Sequence, residues 1–219
     1  KSHAGFTGRC KNLYWGSSGV SFNLEVCYNM YMERKLITEY YSTPVRYYHT
    51  YEHAFRVAHS AQHLAEENGL TEEQSLDCYI AGIWHDAVYV VGNKDNEEQS
   101  AQTLLFMHPL KTIPANMVRR TTVADHLSEE ITWENDPMQC CLLDADLIPL
   151  SLKWIFFMEA QRNIAKEHGF DEVTLEHAKF LTQFLDKKRI YRCPGMEIYE
   201  KSARANIDQL LNEVRKWHD

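Results

Sequence analysis

At 219 residues the chain fits one large domain, and its 44% hydrophobic and 25% charged content is ordinary for a globular protein, which argues against wholesale disorder. A formal net charge of −8 excludes the basic face of a long-nucleic-acid binder and disfavours docking on an anionic membrane. A small anionic substrate stays compatible, provided that something local, such as a metal ion, offsets the repulsion. Six cysteines (Cys10, Cys27, Cys78, Cys140, Cys141 and Cys193) form no C-x-x-C pair. No apolar run reaches membrane-spanning length, and the first residues lack the apolar core of a signal peptide. The expectation is a soluble protein of the reducing cytoplasm, without disulfides.

Residues 1–20 are rich in Gly and Ser and read as an irregular arm. From Ser21 to the end, 21–219, the pattern is helix after helix, and about eight to ten helices in an all-α bundle are expected. The first clear stripe, from His53 to Asn68, carries Ala54, Val57, Ala58, Ala61, Leu64 and Ala65, with Gly69 as its stop. Thr71 and Gln74 form a capping box that opens a helix bearing Leu76, Tyr79, Ile80, Ile83, Trp84 and Ala87. Val88–Val91 is the one β-flavoured run, and Gly92 and Asn93 after it suggest a loop. Asp95 and Glu98 suggest a second box ahead of Ala101, Leu104 and Leu105. Pro109 ends that helix, and Pro114 sits in the first turn of one running toward His126. Asp136-Pro137 starts a helix with Cys140, Leu143 and Leu147. A longer helix spans about Leu152 to His168, closed by Gly169. Asp171 is expected to cap a helix with Leu175, Ala178, Leu181 and Leu185, and the last helix follows Pro194-Gly195.

The chemistry-bearing residues are unevenly placed. Asp86 and Asp144 lie among large apolar side chains, where a carboxylate rarely sits unless paired or bound to metal. His85 directly precedes Asp86 near the end of the most apolar helix, so the two can aim at one ion. His53 on the preceding helix and Asp144 on a later one can complete a set of two imidazoles and two carboxylates. Such a set suits Mn, Fe, Co, Ni or Zn better than Mg or Ca. The pairs His49/His53 and His59/His63 stand four apart, but Thr50 and Ser60 occupy the place where a zinc protease needs Glu. His59 and His63 are read as solvated or packing residues, and Arg119-Arg120 and Lys187-Lys188-Arg189 as solvated faces. Asp146, on a different helical face from Asp144, is read as supporting a ligand from behind.

The order H … HD … D, in the local contexts EHAFRVAHSAQHLA, AGIWHDAVY, NEEQSA and LLDADL, resembles the HD-domain superfamily. Segments such as RYYHTYEH and FLDKKRIY … EKSARANIDQLL are similar to bacterial metal-dependent HD phosphohydrolases, over roughly residues 30–219. The resemblance implies an HD-type helical bundle with His53, His85, Asp86 and Asp144 as metal ligands. His53 rather than His49 matches because it precedes Ala-Phe-Arg-Val. One ion is expected, and a second is compatible. Many HD nucleotidases carry Glu where this chain has Tyr89, which leaves Glu97 as the nearest alternative carboxylate.

The implied activity is hydrolysis of a phosphate ester or anhydride in a nucleotide or similar small metabolite by metal-activated water. Asp86, Glu97 and His126 are the candidate catalytic residues, and Arg46, His49 and Lys166 the candidate substrate contacts. Two other readings stay open: an HD-type diiron oxygenase drawing on His49 and His126, and a non-catalytic nucleotide-binding protein. A homodimer is compatible with the sequence, while long nucleic acid and membrane are not expected partners.

Overall fold

The computed structural model describes residues 35–42 and 44–218. The expected irregular arm at 1–20, and the helical pattern from Ser21 to Arg34, lie outside the described residues. After a helical stretch at 35–40, nine helices follow. They are α1 (Tyr51–Glu67), α2 (Glu72–Trp84), α3 (Asn96–Met107), α4 (Thr112–Arg119), α5 (Val123–Leu127), α6 (Pro137–Leu147), α7 (Trp154–Glu167), α8 (Leu175–Thr182) and α9 (Glu197–His218). A 3₁₀ turn at Ile148–Ser151 links α6 to α7. There is no strand among the described residues, so the fold is all-α as expected.

The buried centre is formed by α1, α2 and α6. Ala54, Ala58, Ala61 and Ala65 give α1 a fully buried seam of small residues. A seam without bulk lets backbones approach, and Gly82 of α2 takes this furthest. A Cβ placed on Gly82 would lie 2.5 Å from Ala58 Cα and 2.7 Å from Ala58 N, far inside van der Waals contact. Cys140, Cys141, Leu142 and Leu143 of α6 close the other side, all fully buried. The four described cysteines are free and buried, and act as small apolar fillers.

Local signals set most boundaries. Gly69 (φ +78°) follows α1, with Gly69 N–H on Glu66 O and Leu70 N–H on Ala65 O, the paired bonds of a Schellman stop. The Thr71/Gln74 box is formed, and Asp136 caps α6 through Gln139 N–H. Three expectations give way to other local solutions. Asp95 makes no capping bond; instead Asn96 bonds both N–H and C=O of Val90 (3.0 Å each) and Ser100 bonds both of Val88 (3.0 and 3.1 Å). The β-flavoured run is thus a loop whose backbone is satisfied by side chains of α3. Thr174, not Asp171, caps α8 through His177 N–H. The helix from Pro114 stops at Arg119, and a fresh Thr122/Asp125 box starts α5, which carries His126.

His177 of α8 donates from Nε2 to the buried Gln161 Oε1 of α7, at 2.8 Å. Burial, with the charge of His168, pushes its pKa down to about 4. A histidine neutral in the fold to pH ~4, but protonating near its ordinary ~6.5 when unfolded, contributes stability in full above pH 6.5. That contribution is lost as pH falls toward 4, because the unfolded chain binds more protons in this window. We expect the unfolding midpoint of the wild type to fall faster between pH 6.5 and 4 than that of His177→Gln, measured by thermal melts across the range. For Gly82→Ala we expect a loss of about 1–3 kcal/mol, as for other overpacked cores, read as a lower urea midpoint with unchanged slope.

Candidate metal centre

The site lies where several helices end. His53 is in the first turn of α1, whose cap Thr50 accepts from His53 N–H. His85 and Asp86 follow the last residue of α2. His126 comes from α5, and Asp146 from the last turn of α6. The close contact at Gly82 and Ala58 brings the first two of these together, with the His53 and His85 rings 5.3 Å apart.

Two carboxylates face the imidazoles. His53 Nε2 is 3.1 Å from Asp146 Oδ1 and 3.7 Å from Asp86 Oδ2. His85 Nε2 is 2.8 Å from Asp86 Oδ2 and 3.7 Å from Asp146 Oδ1. His126 Nε2 is 3.1 Å from Asp146 Oδ2. Ligand atoms of His53, His85 and Asp146 all lie within 4.8 Å of one another. His53 Nε2 and His85 Nε2 are buried without a hydrogen-bond partner, although carboxylate oxygens stand close. The other nitrogen of His85, Nδ1, donates to Gly82 O at 2.8 Å, which leaves the Nε2 lone pair toward the cluster. Imidazole nitrogens and carboxylate oxygens crowded on one point suit a divalent cation.

The electrostatics carry the same demand for positive charge. Burial alone would raise the Asp86 carboxyl, but His85, His49 and His53 hold it well below the usual carboxylate range. Asp146 is likewise buried yet pulled down by His126, His53 and His85. Burial opposes a proton on His85, but Asp86, with Asp146, pushes its pKa up to about 9. His53 is lowered by burial, against the pull of Asp146.

The structure exchanges the roles expected of the two aspartates of α6. Asp144, expected as a ligand, has Oδ2 bonded to Arg192 N–H (2.7 Å) and Cys193 N–H (2.6 Å), with Arg192 Nη1 3.8 Å from Oδ1. Asp146, expected only to support, is the carboxylate beside the histidines. Residues two apart on a helix are turned by about 200°, so the two cannot face one point. A sequence signal existed. Asp144 shares the i, i+3, i+4 stripe of Cys140, Leu143 and Leu147, which runs into the core, and Asp146 lies off it.

The candidate substrate contacts are placed differently from one another. Arg46 is buried and spends its guanidinium on backbone: Nη1 donates to Asp86 O (2.5 Å) and His49 O (3.1 Å), Nη2 to Ala87 O (3.0 Å) and Tyr40 O (3.2 Å). It braces the chain after the His-Asp pair and is not a free arm for phosphate. His49 stands at the rim, its ring stacked on Tyr89 (3.9 Å) and edge-on to His53 (5.9 Å). Its Nδ1 is held by Glu167, which also accepts from Tyr47 N–H and His49 N–H. Lys166 is exposed, its ammonium 4.1 Å from the centre of the Tyr47 ring. Glu97, half-buried in the first turn of α3, has its carboxyl raised by burial and by the charges of Asp86 and Asp125, with His126 opposing. Lys187, read as part of a solvated face, is buried. His59 and His63 are exposed. Tyr48 was missed in the sequence: its ring lies 4.7 Å from that of His53.

A family model described as HD domain matches residues 50–189. No curated protein and no solved structure matches the chain. Among the described residues no helix is long and apolar enough to cross a membrane.

The geometry separates the two aspartates by experiment. We expect Asp146→Asn to weaken binding of a divalent ion by more than the roughly 10–100-fold typical of a change behind the ligands. Asp144→Asn should retain the ion. Metal content after dialysis, by elemental analysis of both folded variants, checks this.

Proposed function

We propose that this chain, which belongs to the HD-domain family, hydrolyses a phosphate ester or anhydride in a nucleotide or similar small phosphorylated metabolite. The observation that carries the reading is the pair of buried, unpartnered Nε2 atoms of His53 and His85 facing Asp86 and Asp146. These four residues would hold the ion, with Mn, Fe, Co, Ni or Zn better suited than Mg to this mixed donor set. A divalent ion bound there supplies a water of lowered pKa and withdraws charge from phosphoryl oxygens.

The chain's own residues supply the rest. His126 orients Asp146 through Nε2 and keeps the unpartnered lone pair of Nδ1 to accept a proton. Glu97, whose carboxyl is raised by burial, is the candidate proton donor to the leaving oxygen. His49, fixed by Glu167, and Lys166 stand at the rim to meet the phosphate, since Arg46 is committed to carbonyls. The net charge of −8 supports a small substrate rather than a nucleic-acid strand.

The test is phosphate or pyrophosphate release from a panel of nucleotides by protein loaded with each divalent ion in turn. We expect turnover that a chelator abolishes and added ion restores. Glu97→Gln should lower kcat by about 10²–10⁴-fold with metal content unchanged. No turnover of any nucleotide by protein shown to be loaded overturns the reading.

A further inference from the structure

Helix α5 has only five residues, and its last turn ends in carbonyls that no helix continues to satisfy. Those carbonyls are met by cations from far along the chain. Arg192 Nη2 donates to Asp125 O (2.9 Å), His126 O (2.9 Å) and Ser128 O (3.1 Å), and its Nε to Ile131 O (3.2 Å). Lys187 Nζ adds bonds to His126 O (2.7 Å) and Ser128 O (3.3 Å). Both cations are buried. One planar guanidinium therefore fixes four carbonyls around His126, a task that an ammonium cannot repeat with the same geometry.

Arg192 is itself held. Asp144, fully buried, accepts the backbone N–H of Arg192 and of Cys193 and stands against Nη1 of the same guanidinium. The two aspartates of α6 thus serve the same histidine from opposite faces of one helix. Asp146 meets the His126 ring at Nε2, while Asp144 fixes the segment that fixes the His126 backbone. Arg192 also lies beyond the residues matched by the family model, which end at 189.

We infer that Arg192 is a positioning residue for His126, and that Asp144 acts through it. The inference rests on the role of His126 proposed above. Its mechanism is mechanical. Without these four bonds the end of α5 is held only by Lys187 and is freer to shift, and a displacement of the order of 1 Å at a reacting group can cost about 10²-fold in rate.

The experiment is a double-mutant cycle in the full chain, with a second readout that needs no turnover. Arg192→Lys should lower kcat by about 10²-fold, leave KM within about twofold and leave metal content unchanged. In a His126→Ala background the same Arg192→Lys change should alter kcat by less than about twofold, because the ring whose position it controls is gone. Equal losses in both backgrounds would overturn the inference and assign Arg192 a general structural role. The independent readout is ¹⁵N NMR of the histidine rings in metal-free protein. The wild-type His126 should show one tautomer with Nε2–H on Asp146, and Arg192→Lys should show averaging. Asp144→Asn should give the same averaging, and serves if Arg192→Lys does not fold. An unchanged His126 spectrum in a folded variant also overturns the inference. If no substrate is turned over, the hydrolase reading fails while the NMR comparison still decides the positioning.

Discussion

Two carboxylates and two imidazoles, drawn from three separate stretches of backbone, converge with N···O distances of 2.8 to 3.7 Å in a largely buried place. Like charges do not gather there unless positive charge compensates them. The carboxylates of Asp86 and Asp146 accordingly push the pKa of His85 up to about 9 against its burial, while Asp86 is held down. A divalent ion on the same Nε2 lone pairs meets the same demand. The rest of the fold is arranged to keep these four side chains from relaxing apart. The alanine seam and Gly82 set the distance between α1 and α2. Arg46, Asn96 and Ser100 bond the chain from Asp86 to Val90 along its backbone.

That backbone is where the helix stops, directly before the His-Asp pair. A helix ending at Trp84 leaves the carbonyls that follow without partners. Arg46 takes those of Asp86 and Ala87, and α3 takes those of Val88 and Val90. The His-Asp pair is thereby presented by an irregular segment whose carbonyls are met by side chains. The aromatic rim behind it is tied down as well. Lys166, Glu167 and His168, consecutive at the end of α7, contact Tyr47, His49 and Tyr89 in turn.

What the sequence made legible follows from which signals are local. Apolar periodicity and caps such as Thr71, Asp136 and Gly69 announce themselves within four or five residues, and the helices they bound are present. Asp86 stands out because a carboxylate among apolar residues needs a reason, His85 because it adjoins Asp86, and His53 through the resemblance to the HD pattern. The two aspartates of LLDADL were harder. Both are carboxylates in an apolar helix, and choosing between them requires knowing which side of α6 faces the core and which the other ligands. Arg46 and Lys187 were misjudged for a related reason. A cation in a sequence looks like a solvated or substrate-seeking group, and only the folded chain reveals backbone carbonyls that need a donor. Glu167 and Tyr48 gave no sequence signal, since their roles are defined by residues more than a hundred positions away or by ring stacking.

The placement of Arg46 and Arg192 has a consequence for where this domain can be cut. The stretch that matches the family model begins after one arginine and stops before the other. Yet each guanidinium inserts among the carbonyls of that stretch, one beside Asp86 and one beside His126. A fragment trimmed to the matched boundaries would keep all of its proposed metal-binding side chains and lose both of the clasps that hold their backbones. Any transplant or minimal version of this protein has to carry the flanking arginines along with the helices between them.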